Sequence, residues 1–377
     1  MCWASRSTTS ASTSAGSTST PSSSARCPLP PRTVEFRMQP ERPYMWMPVG
    51  RTRHRIEIRL HEHEDATEME RPEVAWEWLS QTWGLGPDDV EIIRQVVYPF
   101  LTRIARSWRV GRTFLAGDAA HTMPPYTGKG ACAAMRDAKN LAWKLDLVLR
   151  GLADDELLDT YQQEREAHNN QLLRVSIELC DVVNLTDPRA AHARDLAMRG
   201  RPPAPDIFPG PKTGFLHHDA GGRVTGVLGD ASPQGVIRRG GVTGRFDDVA
   251  GGGGFSVVAA FDPAAVLCGE QLAHLARIGV TIGSLDPASP HHIEDADGTY
   301  REFFTANGVS AFVARPDFLL YGLARDEDDL RELIGEILQR LKAPTPVQDP
   351  GRASFAHRKP RFPLDESGVF EERAATR

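Results

Sequence analysis

The sequence predicts a mixed chain, α/β and α+β, made of a sheet-bearing part followed by a smaller α/β part. Three observations predict it. Thr33 to Met38 and Arg55 to Leu60 alternate polar and apolar residues around an apolar run at Tyr44 to Pro48, Gly111 to Arg150 reads as strand, turn and helix, and short β-rich runs alternate with helical ones beyond Pro202-Pro203-Ala204-Pro205.

Taken in order, residues 1–32 are mainly Ser, Thr, Ala and Pro, with hardly any aliphatic residue to offset the entropy of ordering, and are expected to be disordered. They lack the apolar centre of a secretory signal. A Ser-rich transit segment, a wrong start or translation from a displaced frame are the alternatives. Strands are expected at Thr33 to Met38, Tyr44 to Pro48 and Arg55 to Leu60. Arg51, Arg53, Arg55 and Arg59 alternate with Ile56, Ile58 and Leu60, which reads as a solvent-facing side of a strand. Pro72 opens a helix through about Thr82, and Pro87-Asp88-Asp89 is expected to start a second, shorter one.

The densest signal is Gly111 to Gly130. Thr113 to Ala116 is a short apolar run, Asp118 falls at its carboxyl end, Pro124-Pro125 stiffens the following loop, and Gly128 and Gly130 let backbone approach a ligand. Ala131 to Arg150 then has helical apolar spacing, with Gly151 as the C-cap. Its amino end points free N–H groups at the Asp118 loop, where an electron-rich group is favoured. A long helix is expected from about Asp154 to Leu185. Beyond the proline linker, Arg223 to Leu228, Phe255 to Phe261, Val280 to Gly283 and Ala311 to Tyr321 are β-rich, while Ala264 to Ile278 and Asp326 to Leu341 are helical by period.

These residues carry a resemblance. Gly117-Asp118-Ala119-Ala120-His121, Pro124-Pro125, Gly128-x-Gly130 and Asp137-Ala138-x-Asn140-Leu141-Ala142-Trp143-Lys144-Leu145 resemble the second flavin-binding motif of the FAD-dependent aromatic hydroxylases, the p-hydroxybenzoate hydroxylase superfamily. Arg71-Pro72-Glu73 to Trp83 and the C-terminal extension are most similar to its 3-(3-hydroxyphenyl)propionate hydroxylase and phenol hydroxylase branch. The resemblance implies a partial FAD-binding and substrate-binding hydroxylase domain at 33–200 and a linker at 201–210. A thioredoxin-like domain at 211–345, without the redox cysteine pair, and a tail at 346–377 complete the division. It covers about residues 34–345, since no G-x-G-x-x-G strand-turn-helix precedes Gly111 and no Asp-Gly motif is found; the chain is expected to be N-terminally truncated.

What the resemblance implies chemically is a monooxygenase that takes electrons from NADPH or NADH through FAD and hydroxylates a phenolic ring through a flavin C4a-hydroperoxide. Gly117, Asp118, Pro124, Gly128, Lys129, Gly130, Ala131 and Cys132 would hold the flavin. Lys129 stands where relatives commonly carry Gln, and Ala131-Cys132 where many have Met-Asn. Met45, Trp46, Met47, Pro125 and Tyr126 would face a small phenolic substrate, with O₂ as the second reactant and a homodimer as the candidate assembly. His121 is expected to hold the loop rather than exchange protons, and Asp137, Asn140 and Lys144 to cap, staple and solvate the helix. The alternatives are a non-catalytic remnant serving as a binding or oligomerisation module, or a flavoprotein that only reduces oxygen.

Composition bounds the rest. A net charge of −6 without a concentrated basic face excludes nucleic acid as a main partner, and no membrane span is expected. Five scattered cysteines with no Cys-x-x-Cys pair indicate neither a disulfide framework nor a zinc site, so a reducing cytoplasm is expected. His61 and His63 share one face without a third ligand, so no metal is expected.

Overall fold

The computed structural model describes residues 8–17, the first by backbone alone, then 33–49, 53–200 and 210–341. The first sheet contains β1 (Thr8–Ser17), β2 (Glu35–Arg37), β3 (Tyr44–Pro48), β4 (Arg53–Arg59) and β5 (Val90–Phe100), in the antiparallel order β2-β3-β4-β1-β5. Thr8–Ser17 departs from the expected disorder. Its backbone fills the slot between β4 and β5, so ladder hydrogen bonds on both sides replace the apolar burial its composition lacks. The rest of 1–32 lies outside the described residues.

Alternation in β4 sends His54, Ile56 and Ile58 to one face and Arg55, Glu57 and Arg59 to the other. The first face packs under α2 (Pro72–Trp83), which follows a short α1 (Ala66–Met69), in a core of Trp46, Ile56, Ile58, Leu79, Leu85 and Val90. Pro72 occupies the first turn of α2, and Gly84 ends it with φ 66°. Because β4 ends at Arg59, His61 and His63 lie in the turn beyond it. The expected helix at Pro87 is a turn instead, because Val90 starts β5 and its backbone pairs along β1.

Two short antiparallel pairs, β6 (Arg103–Ile104) with β9 (His121–Thr122) and, between them, the hairpin β7 (Arg109–Val110) with β8 (Thr113–Phe114), lead into α3 (Gly130–Leu149). The strand expected through Ala116 stops at Phe114, and Asp118 sits in a 3₁₀ turn at Gly117–Ala119. A 3₁₀ turn at Asp155–Asp159 opens α4 (Thr160–Val183), shorter than the expected span; α5 (Pro188–Met198), capped by Asp187, follows.

In the C-terminal part, the hairpin β10 (Val236–Arg239) and β11 (Val242–Arg245) precedes α6 (Phe246–Ala250). The main sheet is β12 (Ser256–Ala259), β13 (Thr281–Ser284), β15 (Ala311–Ala314) and β16 (Leu320–Ala324), ordered β13-β12-β15-β16, while β14 (Glu294–Asp295) pairs with β10. β12 and β13 are parallel and the other pairs antiparallel. The helices α7 (Pro263–Val266) and α8 (Gly269–Arg277) connect β12 to β13, α9 (Thr299–Asn307) precedes β15, and α10 (Glu327–Leu341) follows β16. This β-α-β-α-β-β-α order is thioredoxin-like, with Asp262-Pro263-Ala264-Ala265 and no cysteine where β12 turns into its helix. Arg223 to Leu228, expected to be β-rich, is irregular and packs its valines against the second face of this sheet.

The two parts share a core. Trp143, Leu147 and Leu157 from α3 and the following turn pack with Phe215, Val257, Val313, Tyr321 and Ile334. Beneath them, Glu164 of α4 meets Arg315 at 2.6 Å and Lys144 of α3 at 3.0 Å, and Arg315 also bonds Asp317 at 2.6 Å. Lys144, expected to be solvated, is fully buried, and burial lowers its ammonium to about 8.

Candidate functional site

Backbone geometry fixes the Gly117 loop before any ligand is considered. Gly117 has φ 59°, and a Cβ there would lie 3.0 Å from the Ala134 Cβ, so glycine is required both for conformation and for the close approach of α3. The Gly117 N–H donates to Asp137 Oδ2 at 3.1 Å, and His121 Nε2 donates to the same oxygen at 2.6 Å. Arg165 Nε and Asn169 Nδ2 of α4 reach Asp137 Oδ1 at 2.8 and 3.3 Å. Burial pushes the Asp137 carboxyl up, but the His121 hydrogen bond and the Arg165 charge together hold it below the usual carboxylate range. Asp137 is thus the post to which loop, α3 and α4 are tied. His121, buried against Trp108, is committed to it.

After the loop, Pro124 is buried and its carbonyl accepts from Ser176 of α4. Pro125–Thr127 makes a 3₁₀ turn that Gly128 closes with φ 63°, donating its N–H to Pro125 O at 2.8 Å. α3 then starts at Gly130 with no side-chain cap on its amino end, leaving the N–H groups of Gly130, Ala131 and Cys132 for an acceptor outside the helix. Asp118 is exposed on the same loop. The eight expected cofactor residues therefore fall on one continuous loop and helix start.

A cleft of about 180 Å³ opens between this turn and the second face of the first sheet. Met45, Met47, Pro125, Tyr126 and Gly128 line it. Trp46 does not. One residue along a strand reverses the face, so Trp46 turns into the α2 core, 1% exposed, and donates its Nε1 hydrogen to His54 Nδ1 at 2.8 Å. Arg55, Glu57, Arg59 and Asn184 also line the cleft. Sequence reasoning assigned the arginines to solvent; the sign that they face inward is Glu57, a carboxylate placed between two arginines on one strand face.

These groups form two linked sets. Arg55 pairs with Glu57, and Arg55 Nη2 donates to Tyr98 Oη at 2.6 Å while Tyr98 Oη donates to Glu57 Oε1 at 2.9 Å. Burial, reinforced by Glu57, pushes the Tyr98 phenol up to about 12. In the second set Arg59 donates to Asn184 O, and Asn184 Nδ2 donates to Tyr126 Oη at 2.5 Å. Burial, with Cys180 beside it, raises the Tyr126 phenol well above its ordinary value, so it stays protonated at any working pH.

The chain as a whole is similar to known proteins. The family model described as FAD binding domain matches residues 5–176, and the HcaD C-terminal domain model matches 229–340. A probable NADH-specific resorcinol 4-hydroxylase of Rhodococcus jostii (strain RHA1) is 36% identical over 320 residues, covering 82% of this chain and 58% of that protein. A 3-(3-hydroxy-phenyl)propionate/3-hydroxycinnamic acid hydroxylase of Mycolicibacterium smegmatis is 32% identical over 322 residues, covering 79% and 57%. The chain therefore spans under three-fifths of the length of these two relatives. Among solved structures, aklavinone-11 hydroxylase in complex with FAD and aklavinone has a TM-score of 0.67 at 21% identity, covering 89% of this chain and 63% of that one. The flavin-dependent monooxygenase PieE has 0.68 at 20%, covering 88% and 66%. These last two show the fold alone. The chain carries matches to the FAD binding domain and to the HcaD C-terminal domain, and about four-fifths of its length is similar to the resorcinol and hydroxyphenylpropionate hydroxylases.

Proposed function

We propose that this chain works as part of an FAD-dependent, NAD(P)H-using monooxygenase that hydroxylates a small phenol in the methionine-lined cleft. The observation that carries the reading is the juxtaposition of two features. An apolar cleft sized for a single ring lies beside a glycine-rich turn whose following helix has an uncapped amino end. The residues fit the cofactor: Gly130, Ala131 and Cys132 offer uncapped N–H groups, Gly128 leaves open space where a Cβ would stand, and Asp118 is exposed on the adjoining loop. Gly117, Pro124 and Lys129 complete the set that would hold it. When bound, FAD supplies the redox chemistry with O₂.

The chain's own residues supply the rest. Met45, Met47 and Pro125 enclose the ring in apolar surface and exclude water. Tyr126, which accepts from Asn184 and stays protonated, donates to the phenol oxygen and stabilises its phenolate form. Arg59 adds a cation at the same wall, favouring a negative group on the substrate.

The test is titration of the purified chain with FAD, followed by flavin fluorescence and thermal shift, then NADH and NADPH oxidation with resorcinol and 3-(3-hydroxyphenyl)propionate. Saturable FAD binding and phenol-stimulated turnover are expected. Tyr126→Phe should lower turnover by about 10²-fold, the cost of one donor to a developing oxyanion. A folded chain that binds no FAD would overturn the reading and leave the binding or oligomerisation module. Among the described residues no helix is long and apolar enough to cross a membrane. A cytoplasmic location and a homodimer belong to the same proposal, checked by fractionation and light scattering.

A further inference from the structure

A second cleft, of about 510 Å³, lies where α3 and α4 meet the turn between β15 and β16, and shares no residue with the first. At its base is Asn140, 2% exposed. Its Nδ2 donates to Glu164 Oε2 at 2.6 Å and to Asp317 Oδ2 at 2.9 Å. Two carboxylates fix the orientation of the amide, because a carbonyl oxygen in that place would face two negative charges. Asn140 Oδ1 is consequently turned away from them and has no donor among the described residues. A buried acceptor without a donor is costly, and a ligand hydroxyl would satisfy it.

The wall and rim add two more elements. Phe318, exposed on the turn, has φ 66°, the only left-handed non-glycine residue among those described. Lys139 Nζ stands 4.6 Å from its ring centroid. Lys139 and Arg136, which is exposed on the same helix, form no ion pair among the described residues. The carboxylates of this cleft are already engaged, Asp317 by Arg315 at 2.6 Å and Asp230 by the Gly210 N–H at 3.1 Å and Lys212 at 3.4 Å. Positive charge outside any ion pair, an aromatic face and a lone buried acceptor therefore converge on one space.

We propose that the second cleft is a binding site for a monoanionic aromatic acid bearing a hydroxyl donor. The carboxylate lies between Arg136 and Lys139, the ring lies along Phe318, and the hydroxyl donates to Asn140 Oδ1. A nucleoside diphosphate fits less well, since its charge would crowd Asp230 and Asp317. This site does not depend on the monooxygenase reading.

The test uses the full chain without FAD and three probes: 3-hydroxybenzoate, benzoate, which lacks the donor, and 3-hydroxybenzyl alcohol, which lacks the anion. Binding is followed by calorimetry and saturation-transfer NMR. 3-Hydroxybenzoate should bind about tenfold more tightly than either other probe, roughly one charge-assisted or buried hydrogen bond in each comparison. Arg136→Ala with Lys139→Ala, both outside the core, should abolish that binding, and Arg59→Ala in the first cleft should leave it intact. No binding by the three probes, equal binding of all three, binding that survives the double substitution, or binding lost in Arg59→Ala would each overturn the proposal.

Discussion

Asp137 shows what one side chain does in this molecule. It is fully buried and receives hydrogen bonds from Gly117, His121, Arg165 and Asn169. Replacing it with alanine strands the Arg165 charge, and a loss of about 3–5 kcal/mol is expected in urea unfolding. Because the folded carboxyl lies below its unfolded value near 4, its contribution is fully present above that value and disappears as pH falls through the folded one. His168 acts over a different window. Burial, with Arg165 and Arg136 nearby, holds it down to about 4, so the folded state disfavours its protonated form. Its contribution is complete above the unfolded value near 6.5 and is lost as pH drops from there toward 4. Unfolding midpoints measured between pH 7 and 4 should fall less steeply in His168→Gln; parallel profiles for the two proteins would contradict this. The sequence placed Asp137 and His121 on α3 and its loop but gave no sign that they meet, since the contact spans a turn whose geometry only the fold fixes.

Among elements, those bounded by glycine and proline were the most legible. Pro72 and Gly84 bracket α2, and β3 runs over the expected Tyr44–Pro48, because a helix cap and a short apolar run closed by proline are local signals. The segment from Pro87 was misread because a Pro-Asp-Asp start suits a helix, whereas β5 is specified by pairing with β1, a partner distant in sequence. Trp46 was assigned to the cleft with its neighbours for a similar reason: an apolar run hides the two-residue period. Two glycines test how far local conformation accounts for stability. Gly84→Ala meets open space at φ 66° and should cost only the left-handed strain, about 1 kcal/mol; Gly117→Ala adds the 3.0 Å contact with Ala134 and should cost clearly more. Equal losses in the two variants would show that α3 yields without resistance.

At the scale of the whole molecule, the expected boundary at 201–210 does not separate two cores. Trp143 and Leu147 of α3 belong to the same cluster as Val257 and Ile334 of the thioredoxin-like part. Arg315 and Glu164 join the parts through a fully buried ion pair. Arg315→Leu leaves Asp317 without its cation and Glu164 with Lys144 alone, and about 3–5 kcal/mol should be lost in a transition common to both parts. Fluorescence from the tryptophans and far-UV circular dichroism should trace one coincident curve. Two separated transitions would refute the coupling. The composition shift near Pro202 is real, yet composition reports chain chemistry and not which faces bury each other. The network was illegible because Lys144, Glu164 and Arg315 look like ordinary surface charges until the fold closes over them.

The Glu164–Arg315 pair also restricts how such proteins can recombine. A chimaera joined within 201–209 inherits the acid from one parent and the base from the other. A donor with an uncharged residue opposite either breaks the bond across the shared core, leaving Glu164 to Lys144 or Arg315 to Asp317, each held only from its own side of the linker. Exchange of C-terminal parts between relatives is therefore least costly among lineages that keep both partners, and inheritance follows the buried pair rather than the linker.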